Sequence, residues 1–381
     1  MMPRIKGISL LLAVIVVFSA LFYGSASILS PSAAENLSPP PETNTAPPIS
    51  IPSSPPAVSL SSPVIEQISI PAARPLEPSP ITPQTNTAPL DPVSTTAISI
   101  GSYVSGISAQ KAFVYDCHSR QFLYMKSQAD ARVYPASITK LLNIYTALQY
   151  LSPDTMLTME EDISPLAFAD TSKADLRPGD CLSVEMAVRA TLIASGSDAA
   201  HLIAVAVGRQ ISGNDALEAQ EAENVFVEAM NRQAVSMGLI NTHFVNCDGY
   251  PDPDHYSCMA DLAILATRCL DVELIRNTVC CAYAKLTFSD GRSRTLSSTN
   301  WLLKGYTGYY RREAVGMKTG TSDAAGACLL SAFQVNGRHL LVGVFQSYTH
   351  EGRFASAVKL FDTFKNAPLV DPVLPSISAP T

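Results

Sequence analysis

A proline-rich stretch near the N-terminus divides the chain and limits where it can fold. Seventeen of the 28 prolines lie between residues 30 and 98, together with Ser, Thr and Ala and few charged residues. Such a composition cannot bury enough apolar surface to offset the entropy lost on ordering. We therefore predict a disordered linker at residues 30–100, a globular domain at 101–368 and a flexible Pro/Ser-rich tail at 369–381.

The segment that precedes the linker has the features of an export signal. Arg4 and Lys6 provide a positive start, residues 8–23 are almost entirely apolar, and small residues follow at 24–27. These are the regions of a secretory signal peptide. We predict a signal peptide or an N-terminal membrane anchor at residues 1–29, depending on cleavage, and therefore an extracytoplasmic protein of the cell envelope.

Charge and metal-ligand spacing exclude several classes of function. The net charge is −7 and no Lys/Arg cluster is present, so nucleic acid is not expected as a partner. The six histidines show no paired ligand spacing, so neither a metal site nor a cofactor is expected. The eight cysteines include no C-x-x-C motif, and free thiols are expected at least as readily as disulfides.

The stretch "YPASITK" places Ser137 three residues before Lys140. Apolar residues at 138, 141, 142, 145 and 148 predict a helix whose first turn contains Ser137. Residues three apart lie on one helix face, so the lysine amine can reach the serine hydroxyl and act as the base that a serine nucleophile needs. The alternatives are an ordinary N-cap serine and an exposed, solvated lysine.

Two further polar stretches interrupt apolar segments. Residues 183–208 predict two helices broken at "SGSD", which contains Ser195 and Ser197. The tetrapeptide Lys318-Thr319-Gly320-Thr321 precedes two apolar runs joined by Asn-Gly, a hairpin turn. A strand that offers a cation, hydroxyl groups and close backbone access suits a substrate carboxylate and a developing oxyanion. A second hairpin is predicted at residues 111–126.

The three motifs S-x-x-K, S-x-S and K-T-G, in this order, resemble the motif set of penicillin-recognising serine acyl-transferases. The wider sequence resembles one branch, the low-molecular-mass penicillin-binding proteins that act as serine-type D-Ala-D-Ala carboxypeptidases. Further similar stretches are "LRPGDCLSVEMAVRATLIASGSDAA", "MGLINTHFVNCDGYPDPDHYSCMADLAILA", "STNWLL" and "GMKTGTSDAAGACLL". The resemblance covers nearly all of residues 108–364.

The resemblance implies an α+β fold of the β-lactamase/penicillin-binding transpeptidase type, with an antiparallel sheet flanked by helices and an all-helical cluster. It implies removal of the terminal D-Ala from peptidoglycan stem peptides and acylation by β-lactams. Ser137 would be the acylated nucleophile, Lys140 its general base and Ser195 a proton relay. Lys318, Thr319, Gly320 and Thr321 would bind the substrate, and the backbone N–H groups of Ser137 and Thr321 would form the oxyanion hole.

One residue departs from the family pattern, which usually has Asn where this chain has Ser197. Ser197 would belong to the substrate-binding set, but a serine is shorter and has one donor, so lower activity is one expectation. The rival interpretations are a D,D-endopeptidase, a serine β-lactamase and a catalytically impaired cell-wall-binding homologue. A class A β-lactamase needs a Glu that positions water, and the acidic stretch Glu218–Phe226 is interpreted instead as a solvated helix face.

Overall fold

The computed structural model describes residues 104–369 of the chain. The predicted signal segment (1–29), the predicted linker (30–100) and all but the first residue of the predicted tail lie outside the described residues. Within residues 104–369, no helix combines the length and the apolar character needed to cross a membrane.

Eleven strands are found in the described residues. They are β1 (Ala109–Asp116), β2 (Gln121–Lys126), β3 (Arg132–Val133), β4 (Met156–Thr158), β5 (Cys181–Ser183), β6 (Ser257–Cys258), β7 (Tyr283–Thr287), β8 (Ser293–Ser297), β9 (Ala314–Ser322), β10 (Gly326–Val335) and β11 (Arg338–Ser347). Five of them form one antiparallel sheet in the order β2-β1-β11-β10-β9. The others pair as β3–β6, β4–β5 and β7–β8. The strand with the K-T-G motif is thus the outermost strand on one side of the main sheet.

Both predicted hairpins are confirmed. Strands β1 and β2 are joined at residues 117–120, and β10 and β11 are joined by Asn336 and Gly337. These two turn residues have φ angles of 51° and 77°, the left-handed conformation that a two-residue hairpin turn requires. Asn and Gly tolerate this conformation better than other residues, which is why the sequence signal was reliable.

Seven α-helices are found in the same part of the chain. They are α1 (Lys140–Ala147), α2 (Val184–Ile193), α3 (Ser197–Ser212), α4 (Ala219–Ser236), α5 (Met259–Asp271), α6 (Glu273–Val279) and α7 (His350–Phe364). The predicted break at "SGSD" separates α2 from α3. Short 3-10 turns cover Ala136–Thr139, Ser164–Leu166 and Trp301–Leu303.

Helices cover both faces of the main sheet, as predicted. Alternate residues of a strand point to opposite faces, so Phe113 of β1 packs into one apolar core and Val114 into the other. The smaller core contains Phe354 and Phe361 of α7. The larger core contains α1 to α6, in which α3 and α4 pack against each other as the centre of the helical cluster. The three motifs meet where this cluster adjoins the edge strand β9.

Candidate active site

Ser137 and Lys140 lie in direct contact at the start of α1. Ser137 belongs to the 3-10 turn Ala136–Thr139, and Lys140 is the first residue of the α-helix that follows. The Lys140 Nζ donates a hydrogen bond to Ser137 Oγ at 3.0 Å. No side chain caps this turn, and the lysine is only 1% exposed. Both alternatives, the N-cap serine and the solvated lysine, are therefore wrong.

A second serine–lysine pair faces the first. The Lys318 Nζ on β9 donates to Ser195 Oγ at 2.8 Å and to the backbone O of Thr319 at 3.0 Å. Ser195 lies between α2 and α3, and both members of the pair are buried. A turn between two helices normally faces solvent, but this one is enclosed by the edge strand.

The remaining residues of the K-T-G stretch are held from both sides. Thr319 Oγ1 lies 2.6 Å from Thr299 Oγ1 and shares a hydrogen bond with it. A Cβ at Gly320 would lie 2.7 Å from Pro135 O and 3.3 Å from the Ser137 backbone N, so glycine permits the strand to approach the turn that contains Ser137. Thr321 is exposed, and its Oγ1 accepts from Arg353 Nη1 at 2.9 Å.

Ser197 reaches the site through an intermediate residue. Its hydroxyl donates to Asp248 Oδ2 at 2.5 Å. The backbone O of Asp248 in turn accepts from Lys140 Nζ at 2.7 Å, and its Oδ2 lies 3.8 Å from the same nitrogen. The structure thus brings all eight predicted site residues into one region, with Asp248 as an added connection.

The backbone is strained at all three motifs. Ala136, Ser195 and Met317 have φ angles of 47°, 60° and 104°, in a region that residues with a Cβ rarely adopt. They lie immediately before Ser137, at Ser195 itself and immediately before Lys318. Strain of this kind persists only where the surrounding structure imposes it, and it concentrates at functional sites.

The electrostatic environment shifts the pKa values of both lysines. Burial lowers the pKa of the Lys140 ammonium, and the nearby Asp248 carboxylate opposes that shift. Burial also lowers the pKa of Lys318, to well below its ordinary value, and the charges of Lys140 and Arg353 act in the same direction. A neutral amine, the form that can accept a proton from a serine hydroxyl, is therefore accessible at both positions.

One expectation about the acidic stretch is corrected by the structure. The sequence predicts a solvated helix face at residues 218–226, and Glu218 and Glu221 are exposed, but Glu223 is buried and its Oε2 contacts His201 Nδ1 at 3.0 Å. Cys247 lies beside this pair, with its Sγ 3.3 Å from His201 Nδ1. The helical spacing was right, but it could not show that α4 packs this face against α3.

Among the described residues, neither the cysteines nor the surface cleft identifies the serine–lysine site. All eight cysteines are free, and burial raises the pKa of Cys328 to about 11, so this thiol is held protonated. A surface cleft of about 980 Å³ lies elsewhere, beside Leu157, Leu202 and Arg209, and contains none of the predicted site residues. The chemistry of the serine–lysine pairs, rather than cleft size, marks the site.

The chain matches one protein-family model over most of its described residues. Residues 98–349 match the model of the serine peptidase family S11, described as D-alanyl-D-alanine carboxypeptidase. The chain belongs to this family. The resemblance drawn from the three motifs is confirmed.

Curated relatives carry the same description. The chain is 29% identical over 257 residues to D-alanyl-D-alanine carboxypeptidase DacF of Bacillus subtilis. This match covers 67% of this chain and 61% of that protein. It is 31% identical over 248 residues to the D-alanyl-D-alanine carboxypeptidase of Streptomyces sp. strain K15. That match covers 63% of this chain and 81% of the Streptomyces protein. The match to DacF therefore spans less than two thirds of that relative's length.

Solved structures confirm the predicted fold. The crystal structure of the Streptomyces K15 DD-transpeptidase matches with a TM-score of 0.61 and 27% identity, over 69% of this chain and 98% of that one. The ampicillin-bound penicillin-binding protein D2 of Listeria monocytogenes, at 24% identity and a TM-score of 0.56, shows the same fold.

Sequence reasoning missed two charged residues of the site. Asp248 stands in "NCDGY", where Asp-Gly indicates only a turn. Arg353 lies on α7, 35 positions after Lys318, and no local spacing connects it with the K-T-G stretch. Its guanidinium donates to Gly320 O, Thr321 Oγ1 and Cys328 O, and burial lowers its pKa to about 10.

Proposed function

We propose that this protein is a serine D-Ala-D-Ala carboxypeptidase that removes the terminal D-Ala from peptidoglycan stem peptides and is acylated by β-lactams. The observation that carries the proposal is the 3.0 Å hydrogen bond from the buried Lys140 amine to Ser137 Oγ. A serine hydroxyl becomes a useful nucleophile only beside such a base. Membership of the family agrees with this chemistry.

In the proposed acylation step, Ser137 Oγ attacks the carbonyl carbon of the penultimate D-Ala while its proton passes to the neutral amine of Lys140. The C–N bond to the terminal D-Ala then breaks, and the leaving nitrogen receives a proton by way of Ser195. In the second step, water attacks the ester on Ser137, which releases the shortened peptide and restores the hydroxyl. Proton transfers of this kind contribute roughly 10²- to 10⁴-fold each.

Substrate recognition is assigned to the edge strand. Lys318, Thr319 and Thr321 would bind the terminal carboxylate of the substrate, with Ser197 as a further member of the substrate-binding set. Arg353 supports this assignment because it adds a positive charge and donates to Thr321 Oγ1 at 2.9 Å. The close approach of Gly320 to the turn of Ser137 supports an oxyanion hole made of the backbone N–H groups of Ser137 and Thr321.

An extracytoplasmic location is part of the proposal. The substrate is a component of the cell wall, and the segment at residues 1–29 has the composition of an export signal. If this segment is not cleaved, it would also anchor the protein to the membrane. Alkaline phosphatase fused after residue 100 should be active in the periplasm of a test bacterium, and an inactive fusion would argue against export.

The direct test is release of D-Ala. The purified full chain, incubated with diacetyl-L-Lys-D-Ala-D-Ala, should release one D-Ala per peptide, and Ser137→Ala should release none. Hydrolysis of cross-linked dimers without release of terminal D-Ala would identify an endopeptidase. Rapid turnover of a chromogenic cephalosporin without a stable adduct would identify a β-lactamase. A protein that catalyses none of these reactions would be an impaired, wall-binding homologue.

A DD-transpeptidase is a second candidate function. The similar Streptomyces K15 structure bears this description. A transpeptidase transfers the acyl group to an amine rather than to water, so added glycylglycine would divert the product from diacetyl-L-Lys-D-Ala to diacetyl-L-Lys-D-Ala-Gly-Gly. The ratio of the two products therefore separates the two candidates.

A further inference from the structure

A buried carboxylate lies directly behind the proposed base. Lys140 Nζ donates to the backbone O of Asp248 at 2.7 Å and lies 3.8 Å from its Oδ2, with the two side chains 1% and 3% exposed. One residue therefore contacts the amine through both its main chain and its side chain. Ion pairs buried to this extent are much less screened by water than those at the surface.

The Asp248 carboxylate is itself held on several sides. Its Oδ2 accepts from Ser197 Oγ at 2.5 Å and lies 3.9 Å from His201 Nε2, and its Oδ1 accepts from Tyr250 N at 3.1 Å. His201 is held in place by Glu223 at 3.0 Å. The side chain thus has little freedom to turn away from Lys140.

The main chain at Asp248 is fixed as well. The next residue, Gly249, has a φ angle of 91°, and a Cβ there would lie 2.0 Å from Ala136 O and 2.9 Å from Ser137 N. The loop that carries the carboxylate is therefore packed against the turn that carries the nucleophile. Nucleophile, base and carboxylate form one connected unit.

From this geometry we propose that Asp248 is a positioning residue of the reaction, which supplies the counter-charge of protonated Lys140 and is held in place by Ser197 and His201. The inference rests on the proposed function of Ser137 and Lys140. It also assigns Ser197 a task in this chain, since its hydroxyl acts on the base through the carboxylate.

The proton balance shows when the carboxylate acts. As the bond from Ser137 Oγ to the carbonyl carbon forms, the serine proton moves to Lys140 and creates an ammonium in a buried site. The carboxylate at 3.8 Å stabilises this charge as it appears, in the way a third group stabilises the base of other nucleophile–base pairs. When the proton passes to the leaving nitrogen, Lys140 is neutral again. No additional reactant is needed.

The proposal predicts two effects of opposite direction. The carboxylate favours the protonated lysine in the free protein, so it raises the pH at which Lys140 becomes a usable base. It also stabilises the protonated lysine during attack, so it increases the limiting rate at high pH. Neutralising Asp248 should therefore lower the limiting rate and, at the same time, move the rise in rate to lower pH. A purely structural ion pair would not link these two changes.

Other titratable and charged groups face this unit and stay unchanged in the test. They are Asp198 and His201 on α3, Glu223 on α4, Lys318 on β9, on which Arg353 of α7 acts in turn, and Cys247 and His255 in the loop of Asp248. Burial would raise the pKa of Asp248, but the positive charge of Lys140, the nearby His201 ring and hydrogen bonds from Ser197 and Tyr250 hold it below its ordinary value. The carboxylate is thus charged across the range in which Lys140 titrates.

The test is the rate of acylation of the full chain by benzylpenicillin as a function of pH. For Asp248→Asn we expect a limiting rate roughly 10²-fold below wild type, the low end of the contribution of a proton-transfer group, reached at lower pH. Asp254→Asn is the matched control, because it removes the same charge from an exposed position of the same loop and should leave both values unchanged. Ser197→Ala retains the carboxylate but loosens it, so its limiting rate should fall less.

The possible outcomes distinguish failure of the proposed role of Asp248 from failure of the proposed function. An Asp248→Asn protein that keeps the wild-type limiting rate, or that is slower without a shift along the pH axis, overturns the role of Asp248. If that variant does not fold, Ser197→Ala decides, and a wild-type rate in it overturns the proposal. A wild-type protein that is not acylated at any pH overturns the proposed function instead.

Discussion

The two serine–lysine pairs of the site have similar geometry and different surroundings. Lys140 lies 3.0 Å from Ser137 and Lys318 lies 2.8 Å from Ser195, and both lysines are buried. Lys140 has the Asp248 carboxylate at 3.8 Å, whereas the charges that act on Lys318 are the cations of Lys140 and Arg353.

This difference suggests a division of roles. The counter-charge of Lys140 is part of the protein, which suits a base that gains and loses a proton in every cycle. Within residues 104–369 the charges that act on Lys318 are both positive, so the carboxylate of the substrate would supply its counter-charge. Environments that move the pKa values of two similar groups apart commonly give the two groups different catalytic roles.

The largest expected effect comes from removing each serine in turn. Ser137→Ala should abolish the covalent adduct with benzylpenicillin, because no nucleophile remains beside Lys140. Ser195→Ala should still form the adduct, with a rate lowered roughly 10²- to 10⁴-fold, the range for loss of one proton-transfer group. Intact mass after timed incubation measures both. Equal loss in the two variants would break the distinction between the pairs.

The assignment of Lys318 to the substrate carboxylate can be tested with an esterified ligand. Benzylpenicillin methyl ester should acylate wild type about 10²-fold more slowly than the free acid, since a charge-assisted contact is lost in a buried site. In Lys318→Met the acid and the ester should react at similar, low rates. The ratio of acid to ester rates, determined by stopped-flow competition, is the measurement. An unchanged ratio in Lys318→Met would contradict the assignment.

Gly249 connects the loop of Asp248 to the turn of Ser137 and should tolerate no side chain. Gly249→Ala places a Cβ 2.0 Å from Ala136 O and should lower the acylation rate about tenfold or more. Gly179→Ala is the matched control, because Gly179 has a similar φ angle of 89° and nothing within 4 Å of the added Cβ. Similar acylation rates in both variants would show that backbone strain alone, rather than the contact, matters.

A smaller expected effect is on the free energy of unfolding, and it comes from His255, which contacts the turn of Ser137 through Thr139. His255 Nε2 contacts Thr139 Oγ1 at 2.8 Å, and its Nδ1 accepts from Val245 N at 3.3 Å, so the buried ring is held neutral. Burial lowers the pKa of His255 to about 4 from an ordinary value of 6.5. Between these values the unfolded chain binds the extra proton and the folded protein does not, so stability falls as the pH drops from 6.5 to 4.

The expected loss over this pH range is about 3 kcal/mol from His255. Urea unfolding at several pH values should show it for wild type, and His255→Gln should flatten the dependence. His118→Gln, at an exposed position, is the control and should leave the curve unchanged. A His255→Gln curve as steep as that of wild type would assign the pH dependence to other groups.

Local patterns predicted the elements well and the contacts between them poorly. The Asn336-Gly337 turn and the break before α3 are set by residues a few positions apart, so the sequence was sufficient to place them. The Ser197–Asp248 hydrogen bond joins residues 51 positions apart, and the Arg353–Thr321 bond joins residues 32 apart. Such contacts depend on how α3, α7 and the loops pack, which no local period encodes.

Burial was the second property that the sequence did not show. Lys140 in the first turn of a helix and Glu223 in an acidic stretch both have patterns typical of solvated positions, yet both side chains are buried. In each case the partner is distant in sequence: Asp248 for Lys140 and His201 for Glu223. Charged residues are rarely buried without such a partner, so the partner has to be known before burial can be predicted.

The central claim is that the pair with the built-in carboxylate carries the nucleophile. The most direct test is to locate the benzylpenicilloyl group by tryptic digestion and mass spectrometry of the acylated full chain. The two serines lie in separate tryptic peptides, residues 133–140 and 190–209. We predict that the adduct is found in the first peptide, on Ser137. An adduct on Ser195 would contradict the account.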